Sequence, residues 1–235
     1  MIGSPRLHLR RLDSTNRRAR ELAEAGAPHG TLVTTTEQTA GRGRQGRTWL
    51  APAGTAVLMS LVVRGHAGAP APLTAAVAVC EACEATTAAR CTIKWPNDVW
   101  IEGRKVAGIL VEARPDAGWG VIGIGVNVSS TSAQLPPELR GSATSLEQAS
   151  PPAPGVEAVL AAVLAALARR LSDPREWVLE AWRSRDVLRG EQVRWAHGEG
   201  RAGGIDDAGR LLVERPAGIA ALDAGEVHLV AENRL

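Results

Sequence analysis

"KWPNDVWIEGRKVAGILVEARPDAGWGVIGIGVNV", residues 94–128, holds three largely apolar runs separated by two turn signals, "EGR" and "RPDAG". Runs of this length on such short connections predict a meander of antiparallel strands. Residues 91–101 read as a strand interrupted by Pro96, 105–113 as its return and 119–128 as the next strand. Pro96 has no N–H for a ladder, so Asn97 and Asp98 are expected to project at a bend instead of pairing.

Working outward, "TAVLMSLVV" (55–63) is almost wholly apolar, as in a strand covered on both faces. "LHLRRL" (7–12) alternates, and "TLVTTT" (31–36) forms a further strand. "DSTN" (13–16) has helix N-cap chemistry, and an Ala- and Arg-rich helix follows to about Ala25, ended by Gly26 and Pro28. Leu73, Val77 and Cys80 at helical spacing predict a buried helix over 72–89. Residues 129–155, rich in Ser, Pro and Ala, read as a long surface connection. Val156, Val159, Leu160, Val163, Leu164, Leu167 and Leu171 mark the apolar stripe of another helix, and 174–185 a short one. After Arg189 the pattern turns to short strands, "EQVRWAH", "RAGGIDDAGRLLVE" and "GEVHLVAE", with Gly/Asp turns, which predicts a small appended β-barrel. The fold class is therefore α+β: a mixed, mostly antiparallel sheet flanked by helices over 1–186, and a small barrel over 187–235.

At 235 residues the chain can bury a core without staples, and its formal charge of +2 excludes a strongly basic nucleic-acid coat. Cys80, Cys83 and Cys91 are an odd, clustered set without a second zinc-ligand pair, and read as reduced, buried small hydrophobes. No secretory leader opens the chain and no apolar run reaches the ~18 residues of a membrane helix, so a cytoplasmic location is expected.

Two features point to chemistry. "GRGRQGR", residues 41–47, interleaves three glycines with three arginines between two strong strands. The glycines permit positive φ and let backbone N–H groups converge on an anion, and the arginines add charged donors. RG-rich tails that touch nucleic acid are usually repeated and terminal, whereas this segment occurs once inside a folded region, which favours a ligand loop. Secondly, of the 27 basic residues only Lys94 and Lys105 are lysines. Where a generic charge suffices this chain uses Arg, so the two ammonium groups mark places where a compact point charge is needed. Asp98 beside them can hold a cation or fix the basic groups by hydrogen bonds.

"DSTN", "EQTAGRGRQGRTW", "KWPNDVWIEGRKVAGILVE" and "GIGVNV", in this order and spacing, resemble the signature segments of biotin protein ligases; "ATSL" (143–146), "AWRSR" (181–185) and "GIDDAGRLLVE" (204–214) extend the likeness over nearly the whole chain. The resemblance implies a catalytic sheet related to class II aminoacyl-tRNA synthetases with an SH3-like C-terminal domain. It also implies an activity: ATP-dependent conversion of biotin to biotinyl-5′-AMP, then transfer to one lysine of a biotin carboxyl carrier protein.

The resemblance also implies roles. Ser14, Thr15 and Gln38, with the backbone of Gly41 and Arg42, would match the ureido ring, Asn16 would belong to the same biotin site, and residues around Gly108 and Ile109 would line the thiophane ring and valeryl tail. Arg44 and Lys105 would touch both biotin and nucleotide and neutralise the α-phosphate. Arg42, Arg47, Trp49, Lys94, Asn97 and Asn127 complete the expected nucleotide site, Trp49 by stacking on adenine. Asp98 would place Mg²⁺, orient a basic group, or accept the proton of the acceptor lysine.

Residues 1–40 are occupied by a strand–helix–strand unit, so no DNA-binding domain and no DNA partner are expected. A homodimer is left open. Val230 stands where the family often has arginine, which leaves the C-terminal domain's ligand role open. The rival readings are a lipoate-type ligase, which shares fold and adenylate chemistry, and a non-catalytic module binding a small ligand or nucleic acid through the basic loop.

Overall fold

The computed structural model of the protein describes residues 1–65, 71–223 and 225–230. Its main sheet has seven strands: β1 (Arg6–Leu12), β2 (Leu32–Gln38), β3 (Ala56–Arg64), β4 (Thr92–Lys94), β5 (Asp98–Ile101), β6 (Arg104–Arg114) and β7 (Trp119–Asn127), in the order β1-β2-β3-β7-β6-β5-β4. β1 and β2 are parallel; every other pair is antiparallel. The meander expected from 94–128 is therefore the β4–β7 half of this sheet.

Strand alternation divides its contacts. Val33, Val62 and Val121 face α1 (Thr15–Glu24) and pack with Ala19 and Ala23. Their neighbours Leu32, Leu61 and Ile122 point to the other face, where α2 (Ala71–Thr86), α4 (Val156–Arg170) and α5 (Arg175–Arg183) bury the larger core. Both faces are thus covered at β3, as its apolar run predicts. α2 stops three residues before the expected end. Near its end the Thr86 and Thr87 hydroxyls donate back to the Ala82 and Cys83 carbonyls, each at 2.8 Å, a competing bond that suits a helix terminus. The α4 stripe is core: Val159, Leu160, Val163 and Leu167 are buried.

Two expectations change. Residues 91–101 form a hairpin instead of one interrupted strand, with Lys94 opposite Asp98, and Asp98 also pairs Gly108. Only Asn97 sits at the bend; Asp98 belongs to the ladder, because the chain reverses at Pro96 and the strand pairs with itself. The connection 129–155 is also not simply superficial. It contains α3 (Leu146–Ala149), and Ser130, Thr144, Ser145 and Leu146 are fully buried. Several of the buried polar groups bond one another: Ser145 Oγ donates to Ser130 O at 2.7 Å, and Gln148 Nε2 donates to the same carbonyl at 2.7 Å, whereas the Ser130 hydroxyl has no partner among the described residues.

The C-terminal strands are β8 (Gln192–Trp195), β9 (Gly198–Ile205), β10 (Leu211–Arg215), β11 (Gly218–Leu222) and β12 (His228–Leu229), ordered β11-β10-β9-β8-β12. Among the described residues no ladder joins the two end strands. The last two residues of the expected strand 225–232 lie outside the described residues. This unit is tied to the main sheet by Trp95 Nε1, which donates to Gly209 O at 3.0 Å, and by Val187 N–H, which donates to Ile93 O at 3.1 Å.

Candidate active site

α1 packs on β2, β3 and β7 and leaves the same face of β5, β6 and the end of β7 uncovered. The residues of that face are Gly108, Leu110 and Glu112 of β6 and Gly123 and Gly125 of β7, in register Gly108 with Gly125 and Leu110 with Gly123. A cleft of about 400 Å³ lies over them. The floor is glycine because side chains from elsewhere lie directly on it. A Cβ on Gly123 would stand 1.8 Å from Asn16 Oδ1, and one on Gly125 would stand 2.4 Å from Trp49 Cε2.

One end of the cleft is a buried polar network. The residues Ser14, Thr15 and Asn16, at the start of α1, are each less than 5% exposed. Thr15 N–H donates to Gln38 Oε1 at 2.8 Å. Ser60 Oγ lies 2.6 Å from Asn16 Oδ1 and 2.8 Å from Thr15 Oγ1. Asn16 Oδ1 can only accept, so the single Ser60 proton goes there and Thr15 must donate. Asn16 Nδ2 reaches Glu112 Oε2 at 2.9 Å and Leu110 O at 3.2 Å. Ser14 lines the cleft, and its side chain makes no capping bond among the described residues. The fixed network offers donors and acceptors together, as a buried urea-like group requires.

The other end is cationic. Lys105 Nζ lies 2.7 Å from Asp98 Oδ1, and Arg44 Nη1 donates to Asn97 Oδ1 at 3.3 Å. Cations from the loop and from β6 therefore converge on adjacent residues of the β4–β5 hairpin. Burial lowers the Arg44 guanidinium from its usual range, opposed by the charge of Asp98. Burial also lowers the Lys94 ammonium; Asp98 opposes this, and Lys105 and Arg47 add to it. Lys94 Nζ stands 4.9 Å from the Trp100 ring, and Lys105 Nζ stands 5.6 Å from the Trp49 ring. Carrying more cations than carboxylates, this end suits a polyanion.

The loop differs in detail from its sequence reading. Gly43 N–H donates to Arg47 O at 2.7 Å, Arg47 N–H to Arg44 O at 3.1 Å, and Trp49 N–H to Gly41 O at 3.0 Å, so these three amides are used within the loop and do not converge on an anion. Its left-handed residues are Gln45 and Gly46, at φ 54° and 75°. Gly41 is small for another reason: a Cβ there would meet Trp49 O at 2.3 Å. Arg42 pairs with Glu112 at 3.1 Å, and Arg47 pairs with Glu226 of the C-terminal unit.

Of the expected residues, Ser14, Thr15, Asn16, Gln38, Arg42, Arg44, Arg47, Trp49, Lys94, Asn97, Asp98, Lys105, Gly108, Ile109 and Asn127 all line this one cleft. Ile109 borders it while its side chain belongs to the core. Gly41 sits at the loop base. Asn127 Nδ2 donates to Thr144 O at 3.0 Å, whereas its Oδ1 and the Trp49 indole N–H are buried without a partner among the described residues. A buried donor and acceptor left open in a cleft mark a ligand site. Sequence reasoning missed Ser60, Glu112 and Glu226. Ser60 left one signal, as the lone hydroxyl in "AVLMSLVV"; Glu112 and Glu226 left none short of the tertiary pairing.

Residues 8–127 match the family described as "Biotin/lipoate A/B protein ligase family", and residues 190–230 match "Biotin protein ligase C terminal domain". The chain is 36% identical over 238 residues to the biotin--[acetyl-CoA-carboxylase] ligase of Paracoccus denitrificans, covering 93% of this chain and 98% of that one. It is 36% identical over 234 residues to the bifunctional ligase/repressor BirA of Bacillus subtilis, covering 93% and 72%. Among solved structures it is similar to the biotin protein ligase from Aquifex aeolicus in complex with biotin and ATP, at 28% identity and a TM-score of 0.85, covering 97% of this chain and all of that one. With the two matches in order along it, and most of the cleft's lining inside the first, the chain belongs to the biotin protein ligases of the biotin/lipoate A/B protein ligase family.

Proposed function

We infer that the protein converts biotin and ATP to biotinyl-5′-AMP and pyrophosphate, and then transfers the biotinyl group to a lysine of a biotin carboxyl carrier protein. One observation carries the residue assignment: a buried hydrogen-bonding network and a cationic centre share one cleft, the cations arriving from two separate segments, Arg44 and Lys105.

In the first step a biotin carboxylate oxygen attacks the α-phosphorus, and the bond to the β-phosphate bridging oxygen breaks. Charge accumulates on the pentacoordinate phosphorus, and no covalent bond to the enzyme is needed. Arg44 and Lys105 are proposed to stabilise it, Lys105 held by Asp98 and Arg44 by Asn97. Ser14, Thr15, Asn16, Gln38, Gly41 and Arg42 would hold the ureido ring, with Gly108 and Ile109 beside the tail. Arg47 and Lys94 would meet the remaining phosphates, and Trp49 and Asn127 the adenosine. In the second step the acceptor lysine's amine attacks the acyl carbon, AMP leaves, and the amine's proton passes to Asp98.

Mg²⁺ is proposed to enter with the nucleotide. Among the described residues no group of three His, Cys, Asp or Glu could hold a metal, and Asp98 already pairs with Lys105. Phosphate oxygens and water suit the remaining positions of an ion that keeps several waters. The domain division at residues 186 and 187 and a cytoplasmic location are part of the same proposal. The latter is supported by the three free, buried cysteines, and among the described residues no helix is long and apolar enough to cross a membrane.

Incubation with ATP and Mg²⁺ is expected to release pyrophosphate with biotin and not with lipoate; the reverse preference would replace the reading by that of a lipoate ligase. Arg44→Gln and Lys105→Gln should each lower the adenylation rate by roughly 10²–10³-fold. Asp98→Asn should slow single-turnover transfer from preformed biotinyl-5′-AMP; full transfer would remove Asp98 as the proton acceptor.

A further inference from the structure

Glu112 stands on the cleft face of β6, where one carboxylate serves two elements. Its Oε2 accepts from Asn16 Nδ2 at 2.9 Å, and its Oε1 and Oε2 accept from Arg42 Nη1 at 3.1 and 3.4 Å. Arg20 Nη1 approaches Oε1 to 4.0 Å.

The two partners differ in freedom. Asn16 is 4% exposed and fixed on every side: Oδ1 accepts from Ser60, Nδ2 also donates to Leu110 O, and the side chain rests on the bare backbone of Gly123. Arg42 is 46% exposed at its side chain and belongs to a loop held by the Arg42–Thr48 bridge, its own backbone bonds and the pair of Arg47 with Glu226. The carboxylate therefore joins a buried, hydrogen-bonded group to a half-exposed one.

We propose that Glu112 is a positioning residue that couples the hydrogen-bonding end of the biotin site to the ligand loop. A ligand gripped by Thr15 and Gln38 stiffens Ser60 and Asn16 through the shared network, and Asn16 in turn keeps the carboxylate turned toward Arg42. The Arg42 end of the loop is thereby tied to the biotin end of the cleft. The inference rests on the biotin-ligase reading above and adds to it a positioning residue outside the expected site.

Glu112→Gln separates the two grips. An amide oxygen can still accept from Asn16, but the charge that holds Arg42 is gone. Calorimetric titration with biotin alone, on wild type, Glu112→Gln, Arg42→Gln and the double variant, reads the coupling. Trypsin cleavage after Arg44 and Arg47, with and without biotin, reads the loop. Glu112→Gln is expected to bind biotin about fivefold more weakly, the size of a half-exposed charged pair, and to lose the biotin-dependent protection of the loop. Arg42→Gln should match it, and the double variant should be no worse than either. A merely structural glutamate would give independent, multiplying losses in the double variant, and that result would overturn the proposal. So would biotin affinity and protection equal to wild type in Glu112→Gln. If wild type itself takes up no biotin, the ligase reading fails and the coupling with it; if wild type binds and Glu112→Gln binds equally, only the coupling fails.

Discussion

Gly123 has no side chain because Asn16 occupies the space one would need, with Oδ1 1.8 Å from a Cβ placed there. Alanine at this position must rotate Asn16 out of its bonds to Ser60 and Glu112, leaving buried polar atoms unpaired. We expect Gly123→Ala to cost about 1–3 kcal/mol of stability and to weaken biotin binding by at least tenfold, read by chemical denaturation and titration. Retained affinity would show that Asn16 is not fixed as described. The lysines tell a complementary story at the same scale. In a chain that uses arginine almost everywhere else, Lys94 and Lys105 both line the cleft, one above Trp100 and the other on Asp98. Their rarity in the sequence was a usable signal. Glu112 and Glu226 gave none, since a glutamate on a strand end or in a terminal segment is unremarkable until its arginine is placed beside it.

At the scale of elements, the ligand loop is held by its own backbone bonds and by one carboxylate near each end, Glu112 on Arg42 and Glu226 on Arg47. Both pairs are half-exposed, so they hold the loop weakly and release it readily. Biotin and ATP together should protect the 42–47 region from trypsin more than biotin alone, because the phosphates add partners for Arg44 and Arg47. Equal cleavage in all states, followed by mass spectrometry, would count against closure. The segment 129–155 shows where composition stops being informative. Its Ser, Pro and Ala content predicts a surface connection, yet Ser130, Thr144 and Ser145 are fully buried: Ser145 Oγ donates to Ser130 O and Thr144 O receives Asn127 Nδ2, while the Ser130 hydroxyl has no partner among the described residues. Composition records polarity, but not whether the polar groups will find internal partners.

At the scale of the whole molecule, the two sheets meet along Ile93, Trp95 and the chain that leaves α5. Asp186 lies in this junction, its Oδ1 accepting from Leu188 N–H at 2.9 Å. Burial raises its carboxyl from an ordinary 3.8 to about 6, against the opposing backbone bonds and the charge of Arg189. A raised folded-state value means that the folded chain keeps a proton which the unfolded chain has released. The stabilising contribution is complete below about pH 4 and is lost as pH rises through 6, where a carboxylate must stay buried. Asp186→Asn keeps the shape without the charge. It should stabilise the protein by about 1–2 kcal/mol at pH 8, a value discounted because part of the group still meets water, and the gain should fade toward pH 4. Urea midpoints at several pH values read this directly; a gain independent of pH would assign the effect to something other than ionisation.

By itself the sequence determined the elements and the chemical inventory of the cleft. Apolar alternation and helical spacing are local properties of the chain, and the loop and the "KWPND" segment announce themselves by residue types that ordinary structure does not need, although the sequence did not show that this segment folds as a hairpin. Tertiary structure alone decided which side chains hold which. The pairing of Gly108 with Gly125 clears the floor, the reversal at Pro96 brings Asp98 to Lys105, and the distant carboxylates of Glu112 and Glu226 reach the loop. Hydrogen bonds and ion pairs act over a few ångströms between residues far apart in the chain, so they come into being only when the sheet closes.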